Sequence, residues 1–388
     1  MNIPCVTFLL LISFSTFAQQ SWRMHTIDST SFGADGTKLY HANEDNFADI
    51  ICGWEQGNIA RLYLNPANTE LDWPFVEVPA PQVEDALLAD LDEDGFADIV
   101  TLSEGKQQRI TFHWAPADQV KYEQSEYWRS VDVPSTIGKT RWMFGMVMDV
   151  DGKNGLDLVV GSKDPNATLG WLEAPADPRD VAAWQFHEIS PAGWIMSILS
   201  LDMDNDGWRD VLISDRYGDH RGVRWLKNPG NTQALKAHWK SHTIGLEEGE
   251  PMFLTHTEAG GIYAPDLKAG LLHFQRSAAG RWQADTIAYP DIAGSRGKAV
   301  SVGDINQDGT EDIALSFEGA ENKNGVIWRD GKTQQFHPIS SLEGIKYDLV
   351  VLIDMDQDSD LDVLTSEENN NSASEGGLGV VWYENPTY

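Results

Sequence analysis

Cysteine is almost missing from the 388-residue chain, with only Cys5 and Cys52 present. Cys5 precedes an apolar run, Val6 to Phe17, that is too short to span a bilayer, and it stands too early to be a lipid-anchored cysteine. Thr16-Phe17-Ala18 followed by Gln19-Gln20 has the form of a cleavage site, so residues 1–18 are expected to be a signal peptide, although the start carries no Lys or Arg. An exported protein, periplasmic or secreted, would then keep Cys52 alone and have no internal disulfide. Something else must staple its loops. Basic residues are scarce as well: 28 Lys and Arg stand against 60 Asp and Glu, a net charge of −32. That balance argues against nucleic acid and anionic membrane surfaces as partners. No later run is long and apolar enough for a membrane helix. A sustained helical period is absent too, which excludes helical repeats and α/β folds. Nothing in the chain settles its oligomeric state.

What the chain does have is repetition. Asp90-Leu-Asp-Glu-Asp-Gly-Phe-Ala-Asp98 recurs as Asp202 to Asp210, Asp304 to Asp312 and Asp354 to Asp362. Asp149 to Asp157 is a variant, and His41 to Asp49 and the segment from His256 are degraded copies. Seven units of about fifty residues match four-stranded propeller blades. In each unit an apolar strand enters the acidic loop and a β-branched run, such as Ile99-Val100 or Val363-Leu364, leaves it. A Gly-Val-x-Trp strand follows, at Trp225, Trp328 and Trp382, then in many units an Asn-Pro or Ala-Pro turn, then a strand of the form Trp-x-x-His-x-Ile. The last unit stops at Asn385-Pro386 without that final strand, and Trp22-Arg-Met-His25-Thr-Ile27 supplies it from the other end of the chain. Residues 19–388 are therefore expected to form one all-β, seven-bladed β-propeller closed by its N-terminal strand, with no exposed sheet edge at the seam.

Alternating acids with a glycine for the sharp turn suit a hard cation that takes oxygen ligands, and Ca2+ is the expected ion. About four structural sites are expected: Asp90, Asp92, Asp94 and Asp98; Asp202, Asp204, Asp206 and Asp210; Asp304, Asn306, Asp308 and Asp312; Asp354, Asp356, Asp358 and Asp362. In the third repeat Lys153 replaces an acid, and its ammonium is expected to stand in for the ion. The alternative, a set of solvated turn acids, accounts poorly for four regular copies. A second, catalytic divalent ion at the channel mouth is entertained as well.

These loops and the Trp-x-x-His-x-Ile strands resemble the FG-GAP/VCBS repeat family over essentially the whole mature chain. That resemblance implies the propeller but little about activity, since its members include adhesion modules, integrin-type propellers and lyases. A narrower resemblance, to the propeller of aldos-2-ulose (anhydrofructose) dehydratase and related oligosaccharide dehydratases, rests on Gly33-Ala34-Asp35-Gly36, Trp54-Glu55, Ser214-Asp215-Arg216 and the Gly-Val-x-Trp and Asn-Pro strands. It implies carbon–oxygen lyase chemistry on a sugar. The cupin domains of the fungal enzyme are missing here, so metal chemistry housed there does not carry over.

Aligning the repeats on the loop exposes non-repetitive residues on the opposite face. One row holds Asp35, Glu84, Met143, Met196, Glu250, Lys298 and Asp348; two residues earlier stand Gly33, Gln82, Arg141, Trp194, Glu248, Arg296 and Lys346. Strand alternation would turn both rows toward the channel mouth, above a mostly apolar row. A second-strand row, Glu55, Glu104, Lys163, Arg216, Glu318 and Glu368, is charged in six repeats of seven, with Trp54, Asp215 and Glu367 beside it. Of the 15 tryptophans, Trp54, Trp142 and Trp194 map to this mouth, where indole faces beside charges suit sugar rings; packing between blades is the plainer alternative for each. Lys163, Arg216, Arg141 and Lys298 are candidates to hold a substrate anion and stabilise enolate-like charge, with Lys346, Asp35 and Asp348 completing the wall. His220, or a lysine of depressed pKa, is the candidate base; Glu104 or Glu84 is the candidate acid. An acidic oligosaccharide eliminated by a carbon–oxygen lyase is the leading expectation. A glycoside hydrolase using two rim carboxylates, and a glycan- or protein-binding propeller without catalysis, are the alternatives.

Overall fold

Each repeat lays its β-branched runs into short antiparallel strands. The computed structural model describes residues 21–368 and 377–387, apart from Glu44 and Asn231. The expected signal peptide lies outside these. Five sheets of four strands follow one another in chain order, at 34–79, 83–132, 141–191, 195–245 and 255–287. A sixth sheet has eight strands. It consists of 296–338 followed by 346–384, joined through the single residue pair Glu318↔Lys346, with Arg23–Asp28 added at its far edge. That N-terminal strand pairs antiparallel with Gly379–Glu384, His25 opposite Trp382, as the missing final strand requires. Cys52, Trp54 and Tyr63 of the first sheet pack with Leu364, Val380 and Trp382 of the last, so the chain closes on itself as a ring. No helix among the described residues is long and apolar enough to cross a membrane.

The repeated motifs prove to be joints. The outer-strand histidine stacks on the third-strand tryptophan: His25 on Trp382 at 4.1 Å, His242 on Trp225 at 4.2 Å and His337 on Trp328 at 4.6 Å. Each stack contributes about 0.5–1.5 kcal/mol beyond its buried area. The ninth loop position is a buried aspartate whose two oxygens accept backbone N–H groups on either side. Asp98 takes those of Leu91 and Ala115, Asp210 those of Met203 and Asn228, and Asp312 those of Ile305 and Gly331. The asparagine of Asn-Pro reaches the neighbouring repeat: Asn228 donates to the Val150 carbonyl at 3.3 Å and Asn385 to that of Ile305 at 2.9 Å. Neighbouring sheets are therefore pinned through their backbones, not through apolar contact alone.

The innermost strands share a feature that simple alternation misses. In six of them the pairing slips by a bulge at the same place: after Asp35, Val83, Trp142, Ile195, Gly297 and Tyr347. A bulge re-aims the side chains beside it. The row beneath the mouth is consequently not apolar all round. On one side the buried Asp85 pairs with Lys38 at 2.5 Å and accepts the Gly145 N–H at 2.9 Å. On the other, Met143, Phe144, Met196, Met252 and Phe253 join one apolar cluster.

Candidate active site at the channel mouth

Lys163 ends the second strand of the third sheet, with Arg141 opposite it in register. A lone bridge pairs Lys163 with Trp194 at the entry of the fourth sheet, and the Arg216 N–H donates to the Trp194 carbonyl at 2.7 Å. Trp194 thereby lies between two cations. The Lys163 ammonium is 4.4 Å from its ring centre and the Arg216 guanidinium 4.9 Å. Lys163 forms an ion pair with Glu104 and lies 3.9 Å from Glu84. Arg216 pairs with Glu250 at 3.3 Å, and the Tyr217 hydroxyl donates to the same carboxylate at 2.7 Å. Burial above all, then Glu104 and Glu55, pushes the Glu84 carboxyl up to about 8, against the pull of Lys163 and Lys346. Glu84 is thus a neutral acid near pH 7 beside a paired carboxylate.

A second group stands across the mouth. Lys298 pairs with Asp348 at 3.0 Å, Arg296 with Glu318 at 3.0 Å and Lys346 with Glu368. Asp35 and Asp348 shift in opposite directions. Burial and the Asp348 charge raise Asp35 well above the carboxylate range; Asp348, against its own burial, is held below that range by Lys298 and the Asp35 hydrogen bond. Glu55 links the two groups, its pKa raised by burial and then by Glu104 and Glu368.

The mouth therefore gathers Lys163, Glu104, Glu84, Arg141, Trp194, Arg216, Glu55, Asp35, Asp348, Lys298 and Lys346, but several expectations fail. Trp54 is buried, its Nε1 bonded to Tyr63 at 2.9 Å, and Trp142 is buried with Nε1 on the Thr136 carbonyl at 3.2 Å. Both are packing between sheets. Asp215 is buried and takes the N–H groups of Gly193 and Trp194 together with Arg224 at 3.1 Å, so it positions the Trp194 turn and presents nothing to a substrate. His220 lines a separate cavity of about 610 Å3 between outer strands, with Arg221, His238 and Glu248, and none of Lys163, Arg216, Glu84 and Glu104 lines that cavity. Lys298 and Lys346 are pushed up, not down, against their burial by the acids around them. The basic arc is also largely neutralised by carboxylates, and among the described residues Arg141, whose Nε is buried without a partner, has no paired carboxylate. Glu250, Tyr217 and Glu368 belong to the site although the sequence reading did not select them. Glu250 and Glu368 stood in the aligned rows; Tyr217 carried no signal.

On the opposite face, carboxylate oxygens of Asp90, Asp92 and Asp94, of Asp202, Asp204 and Asp206, of Asp354, Asp356 and Asp362, and of Asp149, Asp151 and Asp157 lie within 4.8 Å of one another in each set. None of these groups includes a mouth residue. Asp98, Asp210 and Asp312, whose oxygens accept backbone N–H groups, lie outside these sets, whereas Asp157 and Asp362 make the same backbone bonds and belong to them. Lys153 does reach Asp151, at 2.8 Å, yet the third loop still brings three carboxylates together. Arg179 reaches Asp92 and Asp94, and Lys227 reaches Asp204 and Asp206. The last loop adds an acid missed from the sequence: Asp360 is 2% exposed and, among the described residues, neither of its carboxylate oxygens has a hydrogen-bond partner.

Fold and face together define an all-β propeller with a charged axial mouth. No protein-family model matches the chain, and no curated protein matches it in sequence. Solved β-propellers do match in shape. A streptogramin B lyase aligns with 94% of this chain and 99% of its own at a TM-score of 0.58 and 12% identity. Virginiamycin B lyase from Staphylococcus aureus aligns with 94% and 98% at 0.58 and 12%. BBS1N, in complex with ARL6DN, aligns with 95% and 98% at 0.57 and 9%. At such identities the likeness speaks for the fold.

Proposed function

We propose that the chain is an exported, seven-bladed, calcium-stabilised propeller that acts as a carbon–oxygen lyase on an acidic oligosaccharide, a uronate or a sulfated sugar. The eight-stranded sheet counts as two blades because one residue pair joins its halves. The observation that carries the catalytic reading is the buried Glu84 carboxyl beside the Lys163–Glu104 pair, where burial pushes its pKa up to about 8. Arg141, opposite Lys163 and with no paired carboxylate among the described residues, is the cation free to hold a substrate carboxylate. With that carboxylate held, Glu104 takes the proton from the adjacent carbon. The electron pair forms the new double bond, the carbon–oxygen bond beyond it breaks, and Glu84 protonates the departing oxygen. Lys163 neutralises the enolate-like charge between these steps. The lyase neighbours make the fold compatible with this chemistry and supply nothing about the substrate.

The same Glu84 and Glu104 favour one other reading. A neutral and an ionised carboxyl side by side is the requirement of glycoside hydrolysis. Incubation with acidic oligosaccharides separates the two. Elimination produces absorbance in the ultraviolet band of an unsaturated uronate without added cofactor, whereas hydrolysis produces reducing ends without it. Glu84→Gln and Lys163→Ala should each lower turnover by ~100-fold or more while the protein stays folded. Binding of the glycan without either product would leave the mouth a binding site and overturn both.

A further inference from the structure

The fifth repeat breaks the pattern at three positions at once, and all three face one groove. Its acidic loop is replaced by the tight turn Thr257–Gly261, closed by the Thr257 N–H on the Gly261 carbonyl. On its third strand His273 stands where four other repeats carry Trp171, Trp225, Trp328 and Trp382, stacking on Tyr263 at 4.0 Å, and Asp285 stands opposite it where those four have a histidine. Losing a loop and an indole leaves space. A cavity of about 750 Å3 opens there, bounded by Asp202 of the preceding loop and Glu311 of the following one. Tyr263, His273 and Glu311 also line a neighbouring space of about 380 Å3, which extends the groove along the outer edge.

An aromatic platform stands uncovered in this groove. Tryptophans at the start of the outer strand are buried elsewhere, Trp73 at 6%, Trp128 at 6%, Trp184 at 1% and Trp239 at 5% exposure. The chain before each of the last three covers it and accepts its Nε1–H, from Trp128 at the Tyr122 carbonyl, Trp184 at Pro178 and Trp239 at Leu235. Before Trp282 the chain makes only the turn Ser277–Arg281, and Trp282 remains partly exposed with no hydrogen bond on its Nε1 among the described residues. Arg276 stands across the strand pair from it. In the larger cavity Asp202, Glu258 and Glu311 outnumber Arg276, while burial keeps His256 and His273 below the usual histidine range. That charge balance disfavours an acidic ligand.

We infer that the fifth repeat carries a second carbohydrate site, remote from the mouth, in which Trp282 stacks on a neutral sugar ring and Arg276 and Glu311 bond its hydroxyls. An apolar ring face with polar edges matches a pyranose, which needs no counter-charge. The inference stands apart from the chemistry at the mouth. Titration calorimetry with neutral hexaoses of the gluco-, manno-, galacto- and xylo- series tests it. At least one should bind the native protein, Trp282→Ala should weaken that binding about tenfold or more, equivalent to ~1.4 kcal/mol, and Glu84→Gln should leave it unchanged. Arg276→Gln, a surface change, should also weaken it and decides the matter if Trp282→Ala fails to fold. Failure of all four hexaoses to bind, undiminished binding by both groove variants, or loss of binding in Glu84→Gln would each overturn the second site.

Discussion

Glu84 becomes an acid because its strand places it under the mouth among other carboxylates. Its pKa rises from 4.5 to about 8 through burial first and the neighbouring charges second. Folding therefore favours its proton. The stabilising contribution is complete below pH ~4.5, is lost as pH rises toward the folded value near 8, and changes no further above it. Glu84→Gln should remove this slope, so its melting temperature should gain on the wild type between about pH 5 and pH 8. Thermal melts across that range check it, and parallel curves would mean Glu84 is ionised in the native state. Wild-type activity should fall as pH rises through about 8, when the acid loses its proton, and a rate profile flat to pH 9 would remove Glu84 from the acid role. At the same scale, Lys163 and Arg216 do not repel across empty space. Trp194 separates them and each has its own carboxylate.

Elements decide where such residues point. The sequence rows assumed unbroken alternation along the innermost strands, and the shared bulge breaks it. Asp85 comes to pair with Lys38 in the channel, whereas Trp142, before the bulge and next to Arg141, turns into the wall by plain alternation. The seam strand Arg23–Asp28 is the element most open to test. Asp28 at its end bonds Arg61 at 2.6 Å and the Tyr63 hydroxyl at 2.7 Å in the first sheet, so it ties the last sheet to the first. Asp28→Ala should cost about 3 kcal/mol, the lower end of the range for breaking a buried pair, because Glu77 still accompanies Arg61. Urea melts measure this, and a change under ~1 kcal/mol would show that the seam is held by strand pairing alone. The acidic loops act on the other face. Asp204→Asn with Asp206→Asn should abolish stabilisation of the fourth repeat by added Ca2+ and leave activity at the mouth intact. A double variant that melts like the wild type in Ca2+ and yet is inactive would reverse the assignment of the two faces.

Across the whole molecule the ring joins two faces that share strands but no side-chain chemistry. Chelation should lower the melting temperature by several degrees, reversibly on adding Ca2+, and calorimetry with and without a chelator checks it; equal melts would leave the loop acids solvated. The sequence by itself determined the repeat, its four-stranded grammar and the N-terminal strand that closes the ring, because a fifty-residue period and a missing strand are properties of chain order. It also marked the acidic loops and the charged rows, since residue types at fixed offsets are visible without coordinates. Only the tertiary structure decided that the ninth-position aspartates serve the backbone, that Trp54 and Trp142 are packing and that His220 lies in another cavity. It alone revealed the burial and neighbours that raise the Glu84 pKa, and Arg141 without a carboxylate among the described residues. Those outcomes depend on bulges, burial and neighbours brought from distant repeats, and charge or hydrogen-bond state follows from surroundings that chain order does not record.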